Sequence, residues 1–320
     1  MSFGDDSEKN MMQAMPTTNP NTYNDILDDN TKTKVKVCAL RRGDEEIFQP
    51  KILAAGSEKD IHFYLRLPAL QVLYSDTSPD GDKEKFNKSN EQACNTFTLV
   101  QGNKFNNVRR GMPNLENDQK EAFDILQQQH VDLLTAAFES DKVKCSGKDK
   151  AKKKAKKKAK TIGKEEKREL SEDEINKIAL QIYIEDSHDS GMKESTWTDS
   201  GEEKCEMSLK IKRKCYGMRN VEEDGEAKRK LIRVPPIFHK PTPTGEYYEK
   251  KYESYIQRGT LAIFRVRRNF FSSPMMYGSN LTFDKDVIIM CESKKRARAA
   301  ESKPVMYFED QDDDKRQRTE

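Results

Sequence analysis

Three features predict a mainly β chain with inserted helices, of the α+β class. From Arg258 to Cys291, apolar residues alternate as far as Phe270 and a Val/Ile run closes at Met290, which reads as two strands joined by a Pro/Gly-containing turn. Two more segments, TKTKVKVCAL and MSLKIKRKCY, alternate lysine with small or apolar residues at the same period of two. Between them Phe123, Leu126, Leu133, Leu134 and Phe138 make an apolar stripe at helical spacings, which places a long helix over Asp118 to Phe138.

The chain of 320 residues is 34% hydrophobic and 35% charged, so one core with long solvated insertions is expected rather than two full domains. That core is placed at 31–292, between a disordered arm at 1–30 and a charged flexible tail at 293–320. The net charge of +3 conceals a strong segregation, because Lys148 to Arg168 holds 12 Lys/Arg against three acids. No apolar run approaches the roughly 18 residues needed to cross a bilayer, and the start MSFGDDSEKN has no hydrophobic signal core, so a soluble intracellular protein without membrane contact is expected. The six cysteines and four histidines are dispersed with no CxxC pair, and neither zinc, another cofactor nor a disulfide framework is expected.

Taken in order, the first strand covers Val35 to Leu40. In IHFYLRLPALQVLY the residues Ile61, Phe63, Leu65 and Leu67 alternate until Pro68 interrupts, and Thr96 to Gln101 is a further strand. The polar segment SDTSPDGDKEKFNKSN between these reads as a mobile loop. His130 falls on the apolar stripe of the long helix and reads as a core residue rather than a ligand. The lysine-rich run at about 146–170 is read as a flexible, solvated insertion, because like charges are so dense there; it is an inert insertion, a nuclear targeting signal or a polyanion-binding arm. Ser171 opens SEDE, a capping box in which its hydroxyl accepts from the Glu174 amide, and the short helix that follows turns Ile175, Ile178, Ala179 and Ile182 inward. Trp197 stands in a loop, where it either stacks a base or covers core. A second charged loop follows the MSLKIKRKCY strand, and KLIRVPPIFHKPTPTGEYY reads as an extended edge or crossing segment.

The strand faces carry the functional signal. Ala262, Phe264, Val266 and Phe270 share one face of the first hairpin strand, and Arg265, Arg267, Asn269 and Phe271 the other. Met207, Leu209, Ile211 and Cys215 likewise oppose Lys210, Lys212, Lys214 and Tyr216, while Thr33, Val35, Val37 and Ala39 oppose Lys32, Lys34 and Lys36. Cations suit phosphates and flat rings suit unstacked bases, although lysine on an edge strand also guards against aggregation. The candidate nucleic-acid-binding set is Lys34, Lys36, Lys210, Lys212, Lys214, Tyr216, Arg265, Arg267, Arg268, Phe270 and Phe271. No GxxxxGK[ST] loop, GxSxG elbow, HExxH pair or Rossmann glycine pattern occurs, and a non-enzyme is expected.

In order, the short basic strand, the strand ending at Leu67 and Pro68, the long helix, the SEDE helix, the SLKIKRK strand and the RGTLAIFRV hairpin with Tyr277 and Gly278 resemble one family. It is that of the OB-fold single-stranded DNA-binding proteins of phage replisomes and their relatives in nucleocytoplasmic large DNA viruses. The resemblance spans roughly 32–292. It implies a five-stranded OB-fold barrel with inserted helices, cooperative coating of single strands, and contact with the replicative polymerase and helicase. It also turns Arg265, Arg267 and Phe271 toward a groove flanked by Lys210, Lys212, Lys214 and Tyr216. The function then expected is sequence-tolerant binding of single-stranded DNA in viral DNA replication, recombination or repair, in the nucleus or a viral replication compartment, with self-association possible. The alternatives are a virion or chromatin-like structural protein that holds duplex through the lysine run, an RNA-binding adaptor, and a protein-interaction module.

Overall fold

The computed structural model describes residues 23–24, 33–42, 45–55, 62–78, 81–83, 86, 88–100, 115–166, 168–199, 202–223, 226–241, 247–250 and 256–291. The expected N-terminal arm, apart from Tyr23 and Asn24, and the expected tail lie outside them. The first strands are β1 (Tyr23–Asn24), β2 (Thr33–Arg42), β3 (Glu45–Ala54), β4 (Tyr64–Arg66), β5 (Leu70–Asp76) and β6 (Cys94–Val100). Three helices follow, α1 (Leu115–Glu139), α2 (Ser146–Glu166) and α3 (Glu172–Glu185). The chain then returns to strands with β7 (His188–Asp189), β8 (Met192–Asp199), β9 (Glu202–Lys214), β10 (Tyr216–Glu223), β11 (Glu226–Arg233), β12 (Ile237–Pro241), β13 (Tyr247–Lys250), β14 (Leu261–Ser272) and β15 (Tyr277–Cys291). The class is α+β, mostly β, as the alternating segments predict.

β14 and β15 form the expected antiparallel hairpin, running from the Ser272–Tyr277 pair to the Leu261–Cys291 pair. Five strands pair in a circuit. β5 is antiparallel to β6, β6 to β9 and β15 to β14; β9 is parallel to β15; and the start of β14 returns to the start of β5, with Leu261 opposite Gln71. Farther along the same edge, β14 meets β4 at Arg265 and Val266 and β3 at Asn269. The far edge of β15 is taken in turn by β7, β9 and β12, all parallel to it. β10 and β11 make a separate two-stranded ribbon.

Inside the circuit the alternate residues are apolar and buried, among them Leu99, Leu209, Ile211, Ala262, Val266 and Leu281. At their centre Phe97, Phe264 and Phe283 meet edge to face, with ring centroids 4.9, 5.3 and 5.7 Å apart. Such pairs add about 0.5–1.5 kcal/mol beyond the area they bury. Helix α1 lays Ala122, Phe123, Leu126 and Leu133 on this core. Its next turn, through Leu134 and Ala137, joins a second cluster with Ala151 and Ala155 of α2, Ala179, Ile182 and Tyr183 of α3, and Phe270 and Tyr277 of the hairpin. The capping box at Ser171 is formed, with the Glu174 amide donating to Ser171 Oγ at 3.3 Å and the Ser171 amide to Glu174 Oε2 at 2.8 Å.

The hairpin tip docks on the helices. The Tyr277 ring stacks on Tyr183 at 4.4 Å, and its hydroxyl donates to the Tyr183 carbonyl at 2.8 Å. Two glycines permit the approach: a Cβ on Gly147 would lie 2.1 Å from the Tyr277 ring, and one on Gly278 would lie 1.8 Å from the His188 carbonyl oxygen. Beside them a buried polar network ties the layers together. Arg268 donates to Asp189 Oδ2 at 2.8 Å and to Ser279 Oγ at 2.6 Å, while His130 of α1 reaches Ser279 Oγ through Nδ1 at 2.8 Å and Ser187 Oγ through Nε2 at 3.1 Å.

Four elements differ from the sequence reading. β3 has no counterpart in the sequence reading; its Pro50 is tolerated because β3 is paired fully only with β2 and meets β14 at a single residue. The segment around Trp197 is a strand, β8, rather than a loop; the Trp197 side chain lies outside what is described. The second charged loop is the β10–β11 ribbon. The lysine run is helical, because an alanine at every fourth residue gives it a buried stripe at Ala151, Ala155 and Ala159. The polar segment before β6 is held at Asp82, whose carboxylate accepts from the Cys94 amide at 2.9 Å and from Lys88 Nζ at 2.5 Å.

Because the clash at Gly278 is with backbone, Gly278→Ala should destabilise the protein by at least about 2 kcal/mol in denaturant unfolding, with the hairpin tip losing hydrogen-exchange protection first. Burial, reinforced by Arg268 and His188 and opposed by Asp189, pushes His130 down to about 4. The unfolded imidazole takes its proton near pH 6.5 while the folded one resists, so stability is lost as pH falls from about 6.5 to 4, by roughly 2–3 kcal/mol from this group. Unfolding curves across that window should be less steep in pH for His130→Asn than for the wild type.

Candidate nucleic-acid interface

Strand register decides which polar side chains share a surface, since residues directly opposite one another project to the same face. Lys36 of β2 stands opposite Lys51 of β3, Lys51 opposite Asn269 of β14, and Asn269 opposite Asn280 of β15. Two residues along, Arg267 faces Thr282, Thr282 faces Lys212 of β9, and Lys212 faces Thr96 of β6. Lys210 lies opposite Thr98, which in turn faces Tyr74 of β5. The alternate residues Leu209, Ile211, Val266 and Leu281 point into the core. A row of cations and hydroxyls therefore runs along the outer surface of the strand circuit.

This row carries Lys34, Lys36, Lys210, Lys212, Lys214, Arg267 and Phe271 of the sequence-predicted set. The first two, Lys210 and Lys214 are exposed, and the other three are half-buried. The remaining four residues sit elsewhere. Arg265 shares the Arg267 side of β14, but it stands opposite Arg66 of the edge-paired β4, is ion-paired with Asp284 and is only 2% exposed. Arg268 and Phe270 point the opposite way, into the helix layer, and both are buried there. Tyr216 is half-buried at the root of the β10–β11 ribbon, opposite Arg233. Strict alternation puts Arg268 and Phe270 on the inner side of β14, as observed, but it also assumes that the other side meets water, whereas at Arg265 that side is closed as well.

The structure adds residues that the sequence did not single out. Tyr64 lies under the guanidinium groups of Arg267 and Arg265, at 5.4 and 6.0 Å from its ring centroid. Tyr74 and Phe86 are 44% and 59% exposed, and Lys88 Nζ stands 5.2 Å from the Phe86 ring. Lys51 joins the row only through the unforeseen β3. Phe86 and Lys88 lie in a segment whose composition suggests nothing but solvent.

Two titrating groups register the positive field. His62 is pushed down to about 4, first by burial and then by Arg267 and Lys51. Lys212 is likewise lowered, first by burial and then by Lys210 and Lys88. The acids nearby are engaged internally, Asp284 with Arg265 and Asp82 with Lys88. Such a surface attracts an extended polyanion, and its exposed rings offer faces to unstacked bases.

His130, Ser279 and Asp189 also meet, but both partners address the same nitrogen: Nδ1 is 2.8 Å from Ser279 Oγ and 3.9 Å from Asp189 Oδ2. Ser279 is closed to solvent, so the three act as a clamp between layers. Among the described residues no cluster of His, Cys, Asp and Glu is gathered as metal ligands.

No family model matches the sequence, and no curated protein matches it at a significant level. Among solved structures, the fold is similar to the crystal structure of gp2.5, a single-stranded DNA binding protein encoded by bacteriophage T7. The TM-score is 0.40 at 8% sequence identity, and the match covers 72% of this chain and 93% of that one.

Proposed function

We propose that this protein is a non-catalytic binder of single-stranded DNA, which it holds without sequence readout on the outer surface of the strand circuit. The observation that carries this reading is the registered row from Lys36 through Lys51, Arg267 and Lys212 to Lys210, with Tyr64, Tyr74 and Phe86 beside it. Cations at strand spacing track phosphates, and aromatic faces accept any base.

The pairing circuit supports an OB-fold interpretation. Taking β5, β6, β9, β14 and β15 as strands one to five, the neighbours run one-two-three-five-four and back to one, with three and five parallel. In OB folds the face of strands two and three and the loops between one and two and between four and five receive oligonucleotides. Here those places hold Thr98, Lys210 and Lys212, then Phe86 and Lys88, then Met275 and Met276. Viral DNA replication, recombination or repair is the setting we infer, in the nucleus or a replication compartment. Contacts with polymerase and helicase and self-association belong to the same reading.

Lys210→Gln, Lys212→Gln and Arg267→Gln together should weaken binding of a thymidine oligonucleotide at least tenfold and flatten the plot of log affinity against log salt by about 2, at about 0.7 per phosphate. Tyr74→Ala and Phe86→Ala should each cost about 1–3 kcal/mol with the slope intact. A triple variant that keeps the wild-type slope removes the row from the binding path, and tighter binding of a uridine oligonucleotide than of the thymidine one turns the reading toward RNA.

A phosphate beside Arg267 and Lys51 would favour the charged form of His62, so saturating oligonucleotide should raise its pKa above the free value of about 4 in a histidine-resolved NMR titration. No movement would end the path short of β3.

A further inference from the structure

We propose that α2 is a second nucleic-acid surface, which holds duplex DNA next to the single strand and so directs the protein to single-strand/duplex junctions. The proposal rests on the single-strand reading for its junction geometry, while the duplex contact stands on α2 itself.

The helix spans 21 residues, about 31 Å at 1.5 Å per residue. Ala151, Ala155 and Ala159 are buried, the first two in the cluster that α3 shares, while Lys152, Lys153, Lys154, Lys156, Lys157, Lys158 and Lys160 are all exposed. Only Lys154 is matched to an acid, Asp186 at 2.5 Å, and Lys152 stands over the Phe138 ring at 5.8 Å. Among the described residues no carboxylate pairs with Lys153, Lys156, Lys157, Lys158 or Lys160.

Like charges four residues apart oppose a helix, and this one repeats them along its length. The alanine stripe holds it in shape regardless, so the array is rigid and lacks internal counter-charge. Three lysines in every four residues give one cation per about 2 Å of axis. Duplex DNA presents one phosphate per about 1.7 Å, twice the density of a single strand, which makes duplex the better match. From Lys152 to Lys160 the exposed side chains are all lysine, with no Arg, Asn or Gln to fork onto base edges, so contact is with the backbone and indifferent to sequence.

Position supplies the junction. The first turn of α2 abuts the turn between β14 and β15: Ser146 Oγ donates to the Pro274 carbonyl at 3.2 Å, and Gly147 lies against Tyr277. Asn269 and Phe271 on the outer row lead to that same turn. A strand leaving the row there meets the start of the lysine helix.

The test uses the full chain and a variant carrying Lys153→Gln, Lys156→Gln, Lys157→Gln and Lys160→Gln, which touches no described contact and keeps good helix formers. Anisotropy titrations over a salt series compare a single strand, a blunt duplex and a junction with one single-stranded arm. The wild type should bind the junction several-fold tighter than either simple probe. The variant should bind it at least tenfold more weakly, with the salt slope reduced by about 3 at about 0.9 per duplex phosphate, and leave the single strand within twofold. A junction no tighter than the single strand in the wild type overturns the proposal and spares the single-strand reading. Equal loss on junction and single strand overturns it too, by making α2 part of the single-strand path. Displacement of the duplex by polyglutamate at matched charge concentration would mark an acidic-protein surface and also overturn it. Duplex binding that depends on α2 in a protein with no affinity for single strands would instead end the single-strand reading and leave the duplex contact standing.

Discussion

Strand β14 is hydrogen-bonded along both edges and buried on both faces from Leu261 to Val266, and most of the architecture follows from that enclosure. One edge belongs to β15 throughout; the other is shared out to β5, β4 and β3 in succession. A strand in that position holds charge only if each charge is met inside the protein, because an unpaired buried ion costs several kcal/mol. Arg265 is met by Asp284, and Arg268 by Asp189 and Ser279. These contacts do more than neutralise charge. Asp189 belongs to β7, and Ser279 also receives His130 from α1, so the guanidinium of Arg268 fixes the helix layer to the strand circuit at the point where Tyr277 stacks on Tyr183.

With its interior settled in this way, the outer surface of the circuit carries the cations of the row. The edge-to-face phenylalanines and the aliphatic residues around them hold the strands from within. Burial first, and then the neighbouring cations, push His62 and Lys212 down. Under the single-strand reading phosphates relieve the mutual repulsion on this row, and the row's cations take the place of counterions released from the nucleic acid.

The hairpin, the long helix and the capping box were legible because each depends on local pattern: a period of two, a period of 3.6, and a Ser-x-x-Glu spacing. The lysines of β2 and β9 were legible for the same reason. Alternation already puts Phe270, and with it Arg268, on the apolar side of β14, where the structure buries both; the burial of Arg265 on the other side has no local signal, because it depends on Asp284 and on pairing with β4, a strand of three residues. Lys51 was missed with β3, which has no counterpart in the sequence reading. The lysine run was read by its charge, although its alanines recur at Ala151, Ala155 and Ala159, a four-residue period that signals a helix with a narrow buried stripe. Phe86 and Lys88 had no sequence signal at all, since their place depends on contacts distant in sequence, among them those of Asp82 with Lys88 and with the Cys94 amide.

On the strand circuit and α2 arginine and lysine take different places, and the difference bears on specificity. Guanidinium groups are weakly hydrated and fork onto carboxylates, which suits Arg265 and Arg268 to enclosed pairs; ammonium groups are strongly hydrated point charges that stay at the surface. The row on the strands and the exposed side of α2 are built almost wholly from lysine, whereas the β10–β11 ribbon exposes Arg219, Arg229 and Arg233 beside its lysines. Reading a base edge by hydrogen bonds needs a fork or an amide held in place. Arg267 is the exception on the row, with its guanidinium 5.4 Å from the centre of the Tyr64 ring. Arg265 and Arg268 are thus enclosed, and the charges left on the row are mostly ammonium groups, which under the single-strand reading suit the tracking of a backbone of any sequence.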